Sequence, residues 1–530
     1  MNSLAGTRLL LAASLRHDGR LLAPWVAIVA VLSSSSILAY AWIFPTSLER
    51  TTLASTVEAN PAMGLIFGPA WDLSTSEGFN TWRALAIGGF LAAMCAILAV
   101  VRATRAQEDS GQAELLASGV LGRSARLMTG VVMATVGSLA IGVVSFVVTI
   151  ACRASWHDTA LLCATFVVMG VMFACLAAVA VQLGANGQSA STLAVATLGA
   201  LFAARGFAYS MELPEWTIWI NPLGWMTMTK PAHANAWWPL LPGLALAAIA
   251  LVVAFALQSR RDYGEGLVTP NPGPAHGSLA GPFALTLRLS RTTIVTWTLT
   301  ALILGSVFGY FTTSVGDMFA NNAMFQQILA AGATTSDTLM AAFLRSILCL
   351  VGILCAVPGI SIMLRIRSEE LADRLEPLLA TSLSRVRYYA ANLTVAFTTS
   401  ALLMVIAGVT VGAVSAAAGE PTSVADATLQ AVATVPAVWL VVAVSVAVVG
   451  ARPRVAMAAW AGVLLSFAIT LFGPTFRFPN WALAISPFYH VPNVTLATAS
   501  LAGLGVVALI AAALTAAGLI GFRRRDVATS

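Results

Sequence analysis

Two charged loops hold the residues whose types and spacing best suggest a function. Each loop carries the pattern R-x-x-E, followed by a second glutamate and a closing arginine. A helix with this pattern offers charges of both signs to a docking surface, which is recognition chemistry rather than catalysis. A solvated helix beside a membrane span has a similar composition, so the pattern leaves both interpretations open. The residues are Arg105, Glu108, Glu114 and Arg123 in the first loop, and Arg367, Glu370, Glu376 and Arg385 in the second.

The chain lacks the motifs that hydrolytic chemistry requires. A phosphate-binding loop G-x-x-x-x-G-K-[ST] needs its lysine, and the single lysine, Lys230, is followed by Pro231. No H-E-x-x-H or G-x-S-x-G motif occurs. The five histidines are scattered, and the six cysteines show no metal or redox spacing. We therefore expect no catalytic residue, no metal site and no cofactor in this chain.

The composition predicts which elements must position these loops. Of the 530 residues, 58% are hydrophobic and only 9% are charged, against about 25% charged residues in soluble domains. Apolar runs long enough to span a bilayer predict an all-α polytopic membrane protein with twelve transmembrane helices. The runs lie near 21–44, 81–101, 127–151, 159–182, 191–210, 237–257, 292–314, 344–364, 391–416, 426–449, 455–473 and 498–520.

Basic residues predict the orientation of the chain. Of its 28 lysines and arginines, 21 fall on the side of the termini and seven on the other. Because cytoplasmic loops are enriched in such residues, we expect both termini in the cytoplasm. The use of arginine for all but one of them, in an alanine-rich chain, suggests a bacterial genome and hence a multi-pass protein of the bacterial plasma membrane.

The two halves of the chain are related in sequence. Shifting the chain by 262 positions places six residues of the first loop on identical residues of the second within 19 positions, and Arg83 on Arg345. Arg260-Arg261-Asp262 matches Arg524-Arg525-Asp526 at a slightly different offset. A repeat of this kind predicts one six-helix unit used twice. We place the first repeat at 1–261, a Pro- and Gly-rich cytoplasmic linker at 262–282, and the second repeat at 283–530.

Segments beside the spans also recur. Each half opens with a stretch of leucines and arginines, at 4–20 and 279–291. These stretches predict an amphipathic helix at the membrane surface, or simply positive charge beside a span that sets its orientation. Long connections rich in Trp, Phe and Pro, at 211–238 and 474–493, precede the last span of each half. They fit short half-helices in the outer leaflet, or plain loops of an aromatic belt.

Two further sets of residues are candidates for contacts with a transported molecule. Arg83 and Arg345 begin the second span of each half on the outer side, where they could hold an external gate or snorkel to lipid headgroups. Aromatic residues near the expected central seam could line an apolar path, or could pack or face lipid. These aromatic residues are Tyr40, Trp42, Phe90, Phe202, Phe308 and Tyr310.

The loop pattern, the arginine-bearing segments before the first spans, the aromatic connections and the terminal R-R-D together resemble ABC-2 type exporter permeases. Over essentially all of its length the chain resembles the fused, twelve-helix actinobacterial permeases of the tetronasin-resistance or polyketide-antibiotic exporter type. The second loop departs from the first at Asp373 for Gly111 and at Pro377 for Leu115.

The resemblance implies a transport subunit rather than an enzyme. Two copies of a separate ABC ATPase, which holds ATP and Mg, would dock on the two loops, and the external connections would form a gate. The cargo would be a hydrophobic small molecule, and the other expected contact is membrane lipid, with no nucleic acid. A proton-coupled twelve-helix drug antiporter is the alternative, although the loop 102–126 lacks its G-x-x-x-D-R-x-G-R-R pattern and no acid lies at mid-span. A membrane scaffold or sensor is a third possibility.

Overall fold

The structure, a computed structural model, contains helices joined by turns and loops, and no strands, in the part of the chain that it describes. Those residues are 3–58, 61–112, 122–261, 265–268, 281–312, 336–418, 423–472, 478–496 and 499–526. Twelve of the described helices are long and apolar enough to cross a membrane, and each coincides with one of the twelve predicted runs. The protein is therefore an all-α polytopic membrane protein.

The chain forms two compact units, Met1–Gly273 and Pro274–Ser530. The division between them falls inside the predicted linker 262–282. Each unit carries six of the twelve spans.

The described residues of unit 1 form twelve α-helices, of which α2, α5, α7, α8, α9 and α12 are spans. A 3-10 turn at Gly19–Leu21 separates α1 from α2. The helices are α1 (Thr7–Asp18), α2 (Ala23–Ile43), α3 (Ser47–Glu58), α4 (Pro61–Phe67), α5 (Ser76–Ala103), α6 (Arg105–Asp109), α7 (Ala125–Ala151), α8 (Trp156–Leu183), α9 (Gly187–Ser210), α10 (Glu215–Ile220), α11 (Pro222–Thr227) and α12 (Leu240–Arg260).

The core of unit 1 is built on α5 and α8, which pack against each other along their length. Small residues allow this approach, since Ala93, Ala96, Ala174 and Ala177 are almost completely buried. The side chain of Thr75 caps α5 by accepting a hydrogen bond from the amide of Gly78 at 3.0 Å. The charged loop that follows α5 is thus attached to the most buried part of the unit.

Unit 2 contains eight described α-helices, and its six spans include the run Pro453–Thr470, which begins with a 3-10 segment. Helix α14 contacts α16 and α17, and α17 also packs against α20. The second and fourth spans, α14 and α17, therefore form the centre of unit 2, as α5 and α8 do in unit 1. The helices are α13 (Pro282–Phe311), α14 (Ser336–Leu371), α15 (Leu375–Leu379), α16 (Arg385–Ala417), α17 (Val424–Ala451), α18 (Ala461–Phe472), α19 (Asn480–Leu483) and α20 (Ala502–Arg524).

The two units differ where each begins. In unit 1 the predicted surface helix is separate, because Gly19 stands at the C-terminal cap of α1 and Pro24 in the first turn of α2. In unit 2 the stretch predicted as a second surface helix, 279–291, instead enters the first span, and α13 is one continuous helix from Pro282. The prediction of a separate element there was wrong. No glycine or proline follows Pro282 until Gly305, so nothing breaks the helix.

The connections on the predicted outer side contain short helices. In unit 1 these are α10 and α11, and in unit 2 they are α19 and a 3-10 turn at Pro487–His490. Between the first two spans of unit 1 lie α3 and α4, which the sequence patterns did not predict. Helix α4 packs closely against α9.

Candidate functional site

The charged loop of unit 1 is held by an ion-pair cluster around one carboxylate. Glu108, on the short helix α6, accepts from the Arg105 Nη1 at 2.5 Å and from the Arg261 Nη2 at 2.7 Å. Arg126 Nη1 lies 3.6 Å from the same carboxylate. We call Arg105, Glu108 and Arg261 the unit 1 clasp. It joins the loop after the second span to the residue that follows the sixth.

Arg105 also attaches the loop to the fourth span. Its Nε and Nη2 donate to the carbonyl oxygen of Gly184 at 3.1 and 2.6 Å, just beyond the end of α8. Arg261 Nη1 donates to the carbonyl of Val181 at 3.1 Å. The carboxylate of Asp109 accepts from the amide of Gly187 at 2.6 Å. The C-terminal ends of α5, α8 and α12 and the N-terminal end of α9 therefore meet at one charged junction.

Unit 2 repeats this arrangement. Glu370 accepts from Arg367 Nη1 at 3.2 Å and from Arg525 Nη2. Arg367, Glu370 and Arg525 form the unit 2 clasp, and its members correspond to those of unit 1 in the internal repeat. The Glu370 side chain is completely buried. Arg367 and Glu370 lie in the last turns of α14, so in unit 2 the tie joins the end of the second span, where the loop begins, to the end of the sixth span.

The closing arginine of each loop makes a second repeated contact. Arg123 Nη2 donates to the carbonyl of Arg261 at 3.0 Å, and Arg385 Nη1 donates to the carbonyl of Arg525 at 2.8 Å. Guanidinium groups at the C-terminus of a helix neutralise its unsatisfied carbonyls and its negative dipole end. Both ends of each loop therefore bind the end of the sixth span of its unit.

The two loops also turn in the same way where their sequences differ. Gly111 has φ +74° and its counterpart Asp373 has φ +53°. Both residues are in the left-handed region, which glycine adopts freely and which aspartate tolerates better than most residues. The exchange of Gly111 for Asp373 therefore preserves the turn.

Sequence patterns identified most of this site but not its connectivity. Arg261 and Arg525 are recognisable as part of a repeated R-R-D ending. The sequence gives no sign, however, that they pair with Glu108 and Glu370, which lie 153 and 155 residues earlier in the chain. Burial lowers the pKa of Arg261, while the neighbouring Glu108 raises it and Arg105 lowers it further. The available signal was that a charged loop and a charged helix end both recur in the second half, at offsets of 262 and 264 residues.

The structure describes seven of the eight predicted docking residues, and two of these, Arg367 and Arg385, are half-buried. Arg105, Glu108 and Glu370 are buried or nearly so, and their charges are paired within the chain. They hold each loop in position and do not present charge to a partner. Arg123 and Glu376 are exposed, and Glu376 lies on the five-residue helix α15. Glu114 lies outside the described residues.

The predicted gate residues are not equivalent in structure. Arg345 donates from Nε to the carbonyl of Val491 at 2.6 Å and from Nη2 to that of Tyr489 at 3.1 Å. It therefore fixes the outer connection of unit 2. Arg83 lies over the ring of Phe79, 5.5 Å from its centroid.

The predicted path residues occupy different environments within their units. Tyr40 is buried between Phe44 and Phe79, and its hydroxyl donates to the carbonyl of Leu73 at 2.6 Å. It belongs to a packed cluster rather than to an open surface. Trp42 is 54% exposed. The remaining four are half-buried or exposed: Phe90 and Phe202, whose rings meet edge to face at 5.2 Å, Phe308, and Tyr310.

One family model matches each half of the chain. The family described as multidrug efflux system permease Rv1217c, C-terminal domain, matches residues 22–257 and 279–523, one segment in each half. A relative from Mycobacterium tuberculosis (strain ATCC 25618 / H37Rv), the multidrug efflux system permease protein Rv1217c, is 34% identical over 536 residues, which cover 98% of this chain and 95% of the relative. With both halves matched and nearly the whole length aligned, the chain belongs to the Rv1217c family of multidrug efflux permeases.

Proposed function

We propose that this chain is the membrane subunit of an ATP-driven ABC-2 type exporter that extrudes hydrophobic small molecules such as antibiotics or drugs. The family relationship supports export of drugs, because the Mycobacterium tuberculosis relative is named as a multidrug efflux permease. The assignment to the ATP-driven ABC-2 type, and within it to the tetronasin-resistance type, is supported by the sequence resemblance together with the repeated loops. The chain itself is a transport subunit and not an enzyme.

The observation that carries the proposal is the clasp, present once in each unit. A separate ATPase in two copies, which binds ATP and Mg, would dock on the two loops. The movement of a docked loop must reach the spans if ATP hydrolysis is to change access to a cargo. Glu108 and Glu370 tie each loop to the end of the sixth span of its unit. A buried ion pair with several hydrogen bonds suits this mechanical role, because separating it is costly.

Docking would use the exposed parts of the loops. We assign contact with the ATPase to the exposed Glu376 and to Glu114, its counterpart in the sequence repeat. The exposed Arg123 and the half-buried Arg385 stand at the closing ends of the loops. The buried clasp residues hold those groups in place. The arginine bias supports a cytoplasmic position for the loops and both termini, where ATP would be available.

Reconstitution with the ATPase encoded beside this chain tests the proposal. We expect a stable complex in detergent and, in proteoliposomes, ATP-dependent export of a hydrophobic fluorescent drug. A proton gradient without ATP should drive none. If the gradient alone drove export and no complex formed, the chain would be a proton-coupled antiporter, which is the alternative function.

Charge reversal tests the docking surface directly. Glu114→Arg and Glu376→Arg should each weaken association with the ATPase and should abolish it in combination. Glu215→Arg, on an exposed acid at the opposite end of unit 1, is the matched control and should leave association unchanged. Unchanged assembly of the double variant would remove the docking role from these glutamates.

A further inference from the structure

Unit 1 contains a cavity of about 340 Å³ beside its clasp. This volume lies within the range of small-ligand sites, about 300–1,000 Å³. Helix α1 closes one side through Leu10, and the ends of α5, α7, α8 and α12 form the others. The polar lining includes the side chains of Arg105, Glu108, Arg123, Arg126, Gln182, Gln258 and Arg261.

The lining of the cavity is strongly cationic. Among its described residues are four arginines and one acid, Glu108. That carboxylate already lies within 4 Å of Arg105, Arg126 and Arg261. The pKa of Arg261 is lowered by burial, and the positive charges of Arg105 and Arg126 lower it further against the opposing effect of Glu108. An anion in the cavity would relieve this crowding of like charges.

The corresponding end of unit 2 has a different character. Tyr388 occupies the position of Arg126, and Phe522 occupies that of Gln258. The ring of Phe522 stacks on Tyr389 at 4.5 Å and on Tyr388 at 6.4 Å. A second acid, Glu369, stands where unit 1 has Gln107. Although the clasps are equivalent, the described residues of unit 2 place aromatic rings at positions where unit 1 has polar residues that line its cavity.

We propose that this cavity in unit 1 binds a phosphate-bearing anion. Guanidinium groups match phosphate oxygens with paired, charge-assisted hydrogen bonds. The source is either the headgroup of an anionic phospholipid or free phosphate. The position of the cavity under α1, at the loop end of the spans, suits a headgroup, because basic pockets between spans at this level bind anionic lipids.

Thermal unfolding and native mass spectrometry of the full chain in detergent test this proposal. Phosphatidylglycerol is compared with phosphatidylcholine, and inorganic phosphate is compared with sodium chloride at matched ionic strength. If only phosphatidylglycerol raises the unfolding temperature and stays bound in the mass spectrometer, the anion in the cavity is a lipid headgroup. If inorganic phosphate raises the unfolding temperature of the protein, the anion in the cavity is free phosphate. If neither stabilised the protein more than its neutral or chloride control, the proposal would be overturned.

Substitutions of single arginines test whether the anion binds in the cavity of unit 1. Arg126→Gln should weaken binding of the stabilising anion roughly tenfold or more, as expected for the loss of a charge-assisted contact. Arg126→Lys should recover part of the binding, because it keeps the charge. Arg365→Gln removes a half-buried guanidinium from the loop end of unit 2 and is the matched control. Equal binding by wild type, Arg126→Gln and Arg365→Gln would place the anion elsewhere. Arg126→Lys keeps the test valid if Arg126→Gln fails to fold.

Discussion

The carboxylate of Glu108 lies 2.7 Å from the guanidinium of Arg261, although 153 residues separate them in the chain. Glu370 and Arg525 repeat this pairing across 155 residues. The repetition indicates that the tie between the charged loop and the last span is a property of the six-helix unit.

Removal of either clasp carboxylate should destabilise its unit. We expect Glu108→Gln and Glu370→Gln each to lower the free energy of unfolding by about 3 kcal/mol, because buried guanidiniums lose their counter-charge. Tryptophan fluorescence during denaturation in detergent measures this. Glu369→Gln is the control, since its pair with the exposed Arg374 is 3.9 Å long, and it should cost about 0.5 kcal/mol or less. If all three variants lost the same free energy of unfolding, the clasp carboxylates would have no special structural role.

Arg345 should govern the order of the outer connection in unit 2. Arg345→Gln removes the donors to Val491 and Tyr489. Hydrogen exchange of amides in 487–493 should then become roughly tenfold faster or more, as expected for the loss of charge-assisted hydrogen bonds. Arg83→Gln, its counterpart in the repeat, should leave exchange in that segment unchanged. Equal exchange in wild type and Arg345→Gln would show that other contacts order the segment.

Close packing of α4 on α9 should depend on one glycine. A Cβ at Gly206 would lie 2.0 Å from the carbonyl oxygen of Leu65, so backbone must move. Gly206→Ala should therefore cost about 1–3 kcal/mol. Gly199→Ala, in the same helix, meets no atom within 4 Å and should stabilise by about 0.5–1 kcal/mol. Thermal midpoints of the two variants should move in opposite directions, and a shared direction would refute the predicted contact.

Substitutions at Tyr40 and Trp42 should differ in their effect on stability, because Tyr40 makes a buried hydrogen bond and Trp42 is exposed. Tyr40→Phe removes the hydroxyl that donates to Leu73 and should cost about 1 kcal/mol. Trp42→Phe, at a side chain more than half exposed, should change stability by about 0.5 kcal/mol or less. Denaturation in detergent measures both. A larger loss for Trp42→Phe would mean that its ring is buried in a contact.

The local patterns were sufficient to predict the spans. Each of the twelve helices requires only a long apolar run, which is visible in one stretch of sequence. Helix boundaries were less predictable because they depend on breaks and caps. The difference between Gly19 with Pro24 in unit 1 and the unbroken α13 in unit 2 illustrates this, since the leucine and arginine content of the two segments is similar.

The sequence by itself determined the class of the protein, the number of its spans and the duplication of its charged loops, because hydrophobicity and repetition are properties of order along the chain. Only the tertiary structure decided that Arg105, Glu108 and Glu370 are buried ties, while Glu376 is exposed. It also decided that equivalent clasps stand beside a cationic cavity in unit 1 and beside stacked aromatic rings in unit 2. The physical reason is that the environment of a charge depends on helix ends that are close in space but distant in sequence.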